Sequence, residues 1–294
     1  MNPGRQIVAN NKFKGPDKCT AITSDGGSTH YANISDNEFQ HVAKCVDTAS
    51  YAVENWTISG NVCHDVQFAF LLPEADYISI VGNNVDFNQL TDPGPVSAIV
   101  FGAHLRSYGT AADNIFRGFN ASCTDNIERE VIRVTNSCSV NGNTIRDITN
   151  ASSVVHVMGS GNRVIGNYMG GIGLYNSGNP NFGVIIGVDV RDPLASILVD
   201  NVVQGNDFIF IGTIGIAPLP RSDGQGVYTD NTGNVSRTSV VGNTMTNFEP
   251  SGSALISGID FRNTSNNIAT NNLLFQGGTP VRNPGLGNVV ANNI

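Results

Sequence analysis

The chain keeps returning to one short pattern. Val140-Asn141-Gly142-Asn143-Thr144-Ile145 is an apolar residue, any residue, a small or polar one, then Asn, any residue and another apolar one. The pattern recurs at Ile34 to Phe39, Ile58 to Cys63, Ile80 to Val85, Val164 to Met169, Val203 to Phe208 and Val240 to Met245. Looser copies run Ile7 to Asn10, Ala111 to Phe116, Ile268 to Leu273 and Val289 to Ile294, which makes eleven in all. The anchoring Asn residues are 21 to 39 positions apart. Self-similarity at such a period means stacked units, because one unit alone cannot bury its apolar face. Within each copy two short runs alternate apolar and polar residues, the strand period, on either side of a Gly-Asn or equivalent pair. Gly and Asn enter left-handed backbone conformations most cheaply, so the pair turns the chain sharply without a long loop. Each repeat is therefore expected to be one coil of a parallel β-helix.

This rung motif resembles that of the right-handed parallel β-helix proteins of the pectate-lyase-like superfamily, over nearly all of the 294 residues. The resemblance implies an all-β solenoid of about eleven rungs. It narrows the chemistry less: the superfamily holds pectate lyases, polygalacturonases, alginate epimerases, phage tailspikes that bind and cut bacterial surface polysaccharide, and plain structural spikes.

Composition then excludes several classes. The 16 Lys and Arg against 24 Asp and Glu give a net charge of −8 with no basic cluster, so nucleic acid is not an expected partner. Charged residues are 14% of the chain, and Asn, Ser, Thr and Gly carry a surface suited to hydrogen bonding with sugars. No run of 18 apolar residues and no charged-then-apolar leader is present, so neither a membrane span nor a signal peptide is read here. The five cysteines, Cys19, Cys45, Cys63, Cys123 and Cys138, lack Cys-x-x-Cys spacing. They read as small core residues. The expected organisation is a single domain spanning 1–294, without a capping helix at either end. It is expected to be part of a longer chain or to be covered by neighbouring subunits, as in a homotrimer.

Three turn-rich insertions, Asn88 to Pro95, Tyr175 to Asn181 and Ala217 to Gly226, all follow an Asn-anchored turn. They are expected along one edge of the solenoid, the usual place for a binding wall. The strand after that wall aligns as Gly187-Val-Asp-Val-Arg-Asp192, Gly226-Val-Tyr-Thr-Asp-Asn231 and Gly258-Ile-Asp-Phe-Arg-Asn263. With the apolar residues inward, the period of two sends Asp189, Arg191, Tyr228, Asp230, Asp260 and Arg262 outward. His156 and Arg133 extend the column on earlier coils. By rung spacing, Asp189 and Asp260 lie roughly 9 to 10 Å apart, and Asp189 and Asp230 about 8 Å. Inverting glycosidases hold their carboxylates about 6.5 to 9.5 Å apart.

The catalytic reading therefore has Asp260 or Asp189 as general acid and Asp230 as base for the attacking water. Arg133, Arg191 and Arg262 would grip acidic sugars, Tyr228 would stack on a ring, and His156 would join the substrate contacts. Read without a substrate, the same column is a surface salt-bridge ladder. Glu128 and Glu130, alternating with Arg129, read as a solvated turn. No phosphate loop, metal-spaced His or Cys set or calcium repeat occurs, so no metal or other cofactor is expected. A lyase would need Ca²⁺ held by several carboxylates, and no lyase motif is present.

The expected function is that of a tailspike-like β-helix on a virion tail or otherwise outside the cell, one that binds and hydrolyses a surface polysaccharide. A non-catalytic structural or adhesive spike comes second, and a secreted pectinase-like hydrolase or lyase third.

Overall fold

A computed structural model describes residues 5–16, 19–24, 30–48, 52–87, 89–90, 98–118, 120–121, 128–148, 153–172, 182–187, 197–210, 224–229, 234–246, 257–261, 264–275, 279–282 and 285–294. Through these the chain repeats one cycle of three strands. Ser139–Asn141 belongs to a first sheet, Thr144–Arg146 to a second and Ser153–Val157 to a third, and the next coil opens at Arg163–Ile165. Each strand pairs in parallel with its counterpart one coil on: Val140 opposite Val164, Ile145 opposite Met169, Val155 opposite Val184. The three sheets hold eleven, ten and twelve strands. This is the right-handed parallel β-helix that the repeat implies.

The Asn of the motif is what stacks the coils. Asn143 is buried, and its Oδ1 accepts from both the main-chain N–H and the side-chain Nδ2 of Asn114, at 3.0 and 2.9 Å. Its Nδ2 donates to the Ala111 carbonyl and to Asn167 Oδ1, both at 2.9 Å. All four hydrogen-bonding sites of the amide are thus used. The same arrangement links Asn11, Asn37, Asn61 and Asn83 below it and Asn206, Asn243, Asn272 and Asn293 above.

The residue before each ladder Asn turns the chain in a left-handed conformation, for example Gly142 at φ 63°. A Cβ at Gly142 would come 2.5 Å from Asp113 Oδ1 on the previous coil, so that side chain would have to move aside. In the first coil the ladder residue is Asn11, not Asn10. Val8 pairs with Ile34, which puts Asn10 (φ 58°) in the turning slot beside Asp36 (φ 55°).

A second ladder that the hexapeptide does not reveal forms at the turn from the third sheet to the first. The main-chain N–H of Cys138 donates to Asn162 Oδ1, that of Asn162 to Asn201 Oδ1, that of Thr238 to Asn267 Oδ1 and that of Asn267 to Asn288 Oδ1. Lower down, the corresponding slots are apolar, filled by Ala32, Trp56 and Ile78. Between the turns the core is built of files: Ile34, Ile58, Ile80, Val140 and Val164 from the first sheet, and Phe39, Cys63, Val85, Phe116 and Ile145 from the second, all buried.

Cys45, Cys63 and Cys138 are buried free thiols, and Cys19 is only half-buried. Thr20 pairs with Lys44, so Ala21 and not Cys19 stands opposite Cys45. Cys123 lies outside the described residues.

Replacing Asn143 with Ala strands the Asn114 amides and the Ala111 carbonyl in the interior, at about 1 to 3 kcal/mol per unsatisfied group. Asn143→Ala is expected to lower unfolding stability by roughly 3 kcal/mol or more in urea titration. Asn293→Ala, at a half-buried ladder position, is expected to lower it by less than half as much.

Candidate functional site

The three insertions fall where expected in the topology. Each lies in a connection from the second sheet to the third: between Asn84–Phe87 and Ala98–Ser107, between Tyr168–Ile172 and Phe182–Ile186, and between Asp207–Phe210 and Gly224–Thr229. Most of their residues are outside those described.

Strands of the third sheet depart from simple alternation. Cys45 and Val46, Ala69 and Phe70, Val131 and Ile132, and Val154 and Val155 are consecutive residues, and both members of each pair are fully buried. The strand bends over the core edge at that point, and residues three apart that flank the pair share the outer face. Lys44 Nζ reaches Asp47 Oδ2 at 2.6 Å in this way, and Arg133 reaches Glu130 in the same way.

The pairing register defines one file, coil by coil: Asp47, Leu71, His104, Arg133, His156, Ile185, Tyr228, Asp260 and Arg282. Arg133, His156, Tyr228 and Asp260 are thus in one file, as the alternation implied. Asp189 is not. Phe182–Ile186 forms the strand, and Ile185 stands opposite Tyr228. Two Gly-Val-x-apolar runs four residues apart, from Gly183 and from Gly187, satisfy the same pattern, and backbone pairing selects the first. Asp189, Arg191, Asp230 and Arg262 lie outside the described residues.

His156 and Arg133 turn out to be held within a dense charge cluster. Glu130, expected in a solvated turn, is instead 1% exposed in the strand Glu128–Asn136. Its carboxylate accepts from Arg133 Nε at 2.6 Å and Nη2 at 3.0 Å, and it meets His156 Nδ1 at 2.5 Å. The other ring nitrogen of His156, Nε2, lies 3.0 Å from the Gly187 carbonyl oxygen. Both ring nitrogens thus face acceptor oxygens. Burial alone would raise the Glu130 pKa, but the charges of His156 and Arg133 and the hydrogen bonds from both hold it well below the usual carboxylate range. Beside them the partly buried His104 has its pKa pushed down to about 4, chiefly by burial and then by the Arg133 charge. Ser153, one coil from Glu130, is buried with no partner for its hydroxyl among the described residues.

The arrangement divides the file in two. Glu130 and His156 are buried, Arg133 is mostly so, and the three pair with one another, which stiffens the wall. Four coils separate Glu130 from Asp260, about 19 Å by strand spacing, too far for both to act on one glycosidic bond. The backbone register carries the file on through Tyr228, Asp260 and Arg282. On the second sheet, Asp86 pairs with Arg117 and lies 3.1 Å from His64, a half-exposed ion strip. Arg117, through its hydrogen bond and charge, holds the Asp86 carboxyl below its ordinary value against the opposing effect of burial. Among the described residues no three His, Cys, Asp or Glu side chains converge as a metal would require.

The cluster gives the fold an acid sensitivity. His104 binds a proton more weakly folded than unfolded, so its contribution is complete above the unfolded value near 6.5 and is lost as pH falls toward about 4. Glu130, depressed in the fold, adds stability above the ordinary carboxylate range that is lost as pH falls through its lowered folded pKa. Urea stability is expected to fall between pH 6.5 and 4, with the His104 share no more than about 3 kcal/mol. His104→Leu is expected to flatten that slope.

No protein-family model matches the chain, and no characterised protein matches it by sequence. Solved structures do. A variant of the tailspike protein of E. coli bacteriophage HK620 is 14% identical at a TM-score of 0.55, over 96% of this chain and 58% of that one. The same tailspike in complex with a pentasaccharide is 14% identical at a TM-score of 0.50, with the same coverage. This chain therefore spans a little over half the length of the tailspikes it resembles, and what it shares with them is the parallel β-helix fold.

Proposed function

We propose that the chain is a glycan-binding β-helix of the tailspike kind, which holds a surface polysaccharide along the outer face of its third sheet and hydrolyses it with inversion. The observation that carries this reading is the register of Tyr228 opposite Asp260, with Arg282 on the next coil, beside the connections that bear the insertions. An aromatic ring, a carboxylate and a guanidinium on successive coils suit an acidic sugar chain: the ring stacks on a sugar face and the cation takes the sugar's charge.

In this reading Asp260 is the general acid and Asp230, two residues beyond Tyr228, is the base. One coil across and two residues along gives a separation of about 8 Å, within the inverting range of about 6.5 to 9.5 Å. Arg191 and Arg262 are further substrate contacts from the segments beyond the strands, and Asp189 acts from the segment after Ile185. The pentasaccharide bound by the HK620 tailspike makes a bacterial surface glycan the natural first substrate to try. Virion-tail or extracellular location and assembly as a homotrimer belong to the same reading.

A non-catalytic adhesive or structural spike is the second reading, favoured by the mutually paired Glu130, Arg133 and His156 cluster, which makes part of the strip a rigid wall. The two separate by assay of oligosaccharide release from bacterial surface polysaccharide. Asp230→Asn and Asp260→Asn are each expected to lower release by about 10²-fold or more with unchanged circular dichroism. Wild-type rates in both variants contradict the assignment, and no release by the unmodified chain from any glycan favours the spike.

A further inference from the structure

The turn from the third sheet to the first carries a second surface, on a different edge from the insertions. The pairing of Gln6 with Ala32, Ala32 with Trp56, Thr57 with Ser79 and Ser79 with Thr110 aligns the residues one before Gln6, Ala32 and Trp56 with those two before Ser79 and Thr110, in one column. That column reads Arg5, Tyr31, Asn55, Tyr77 and Tyr108 over five successive coils, about 19 Å along the solenoid axis. Tyr31, Tyr77 and Tyr108 are 51%, 55% and 58% exposed, among the most exposed large side chains on the molecule. Tyr77 and Tyr108 stack face to face, with centroids 5.0 Å apart and planes within 8°.

Tyr77 and Tyr108 also sit at φ 57° and 54°, in the left-handed region where bulky residues are disfavoured. On later coils the same slot holds Ser137, Gly161, Asp200, Arg237, Asn266 and Gly287, so the turn itself does not call for an aromatic ring. Strain accepted at an exposed position without gain in core packing points outward, to something that the rings touch.

Beside the column lies an open cleft of about 320 Å³, lined by Arg5, Tyr31, Asn33, Asn55, Thr57 and Ser59. The lining is mostly amide, hydroxyl and guanidinium, and Asn33 Oδ1, buried beside it, has no hydrogen-bond partner among the described residues. Asn55, short and exposed, leaves a gap of two rung spacings, roughly 10 Å, between the slots of Tyr31 and Tyr77. That space takes one pyranose ring with its hydroxyls between two aromatic faces.

From this geometry we infer that the ridge is a second carbohydrate-binding site, separate from the third-sheet strip. It takes an oligosaccharide laid along the helix axis. One sugar ring lies in the gap over Asn55, flanked by Tyr31 and Tyr77. Asn55, Thr57 and Ser59 bind the sugar hydroxyls, and Arg5 receives a carboxylate or other acidic substituent at the far end. The polar cleft favours a glycan over a protein surface, which would need a drier and more apolar face.

The test is a printed array of bacterial surface oligosaccharides, neutral and acidic, probed with the full chain. Asn55→Tyr fills the gap, and Tyr77→Asn opens it while suiting the left-handed slot. Both are expected to lower the signal on the same subset of glycans at least tenfold with folding intact by circular dichroism. Asp260→Asn is expected to leave that subset bound, so a failure of the third-sheet reading shows itself separately. Unchanged binding in both ridge variants overturns the inference, and so does an unmodified chain that binds no glycan. A change of oligomeric state in Tyr77→Asn, seen by light scattering, also overturns it and makes the ridge a subunit contact.

Discussion

A buried primary amide with all four of its hydrogen-bonding sites used is the interaction on which this molecule depends. In a solenoid each turn leaves main-chain groups pointing at the core edge, where water is excluded and an unmet N–H is expensive. The ladder Asn answers this on every coil at once. Its Oδ1 takes the N–H and the Nδ2 of the coil below, and its Nδ2 reaches a carbonyl below and the Oδ1 above, as at Asn143 and Asn167. Because each amide is oriented by its neighbours, the stack fixes the register of the two sheets it joins. Every outward column, including the one proposed to meet a glycan, takes its alignment from that register.

The third sheet shows what a fixed frame permits. Glu130, Arg133 and His156 sit on an outer face yet are almost wholly enclosed, an arrangement tolerated only because each charge has a partner within 3.0 Å. Such a cluster resists rearrangement, since removing one member leaves the others charged and buried. It forms the firm end of a file whose other end, from Tyr228 to Arg282, is where substrate chemistry is proposed. Rigid support beside a reactive stretch is what positioning of a stiff polymer requires.

Much of this was legible in the sequence, for a physical reason: a one-dimensional fold writes its period directly into the chain. The motif found the Asn stack and the hydrophobic files, and it slipped by one residue only where Asn10 and Asn11 both satisfy it. The third strand was harder. Paired inward residues such as Val131 with Ile132 and Val154 with Val155 break the period of two, and this put Glu130 on the wrong side of the surface. At Gly183 and Gly187 the local pattern is duplicated, and only pairing with Val227 decides between them. The tyrosine ridge was missed because its members are unremarked until the coils are aligned. The usable signal was position: Tyr31, Tyr77 and Tyr108 each precede a ladder Asn by six residues.

Hydrogen exchange followed by mass spectrometry or NMR tests the ladder as the organising interaction most directly. If the amides form one cooperative stack, the main-chain N–H groups of Asn61 through Asn243 exchange slowly and together, whereas those of Asn11 and Asn272, next to the half-buried ends, exchange much faster. Asn114 and Asn143 exchanging as fast as Asn11, in a chain that is otherwise folded, would contradict it.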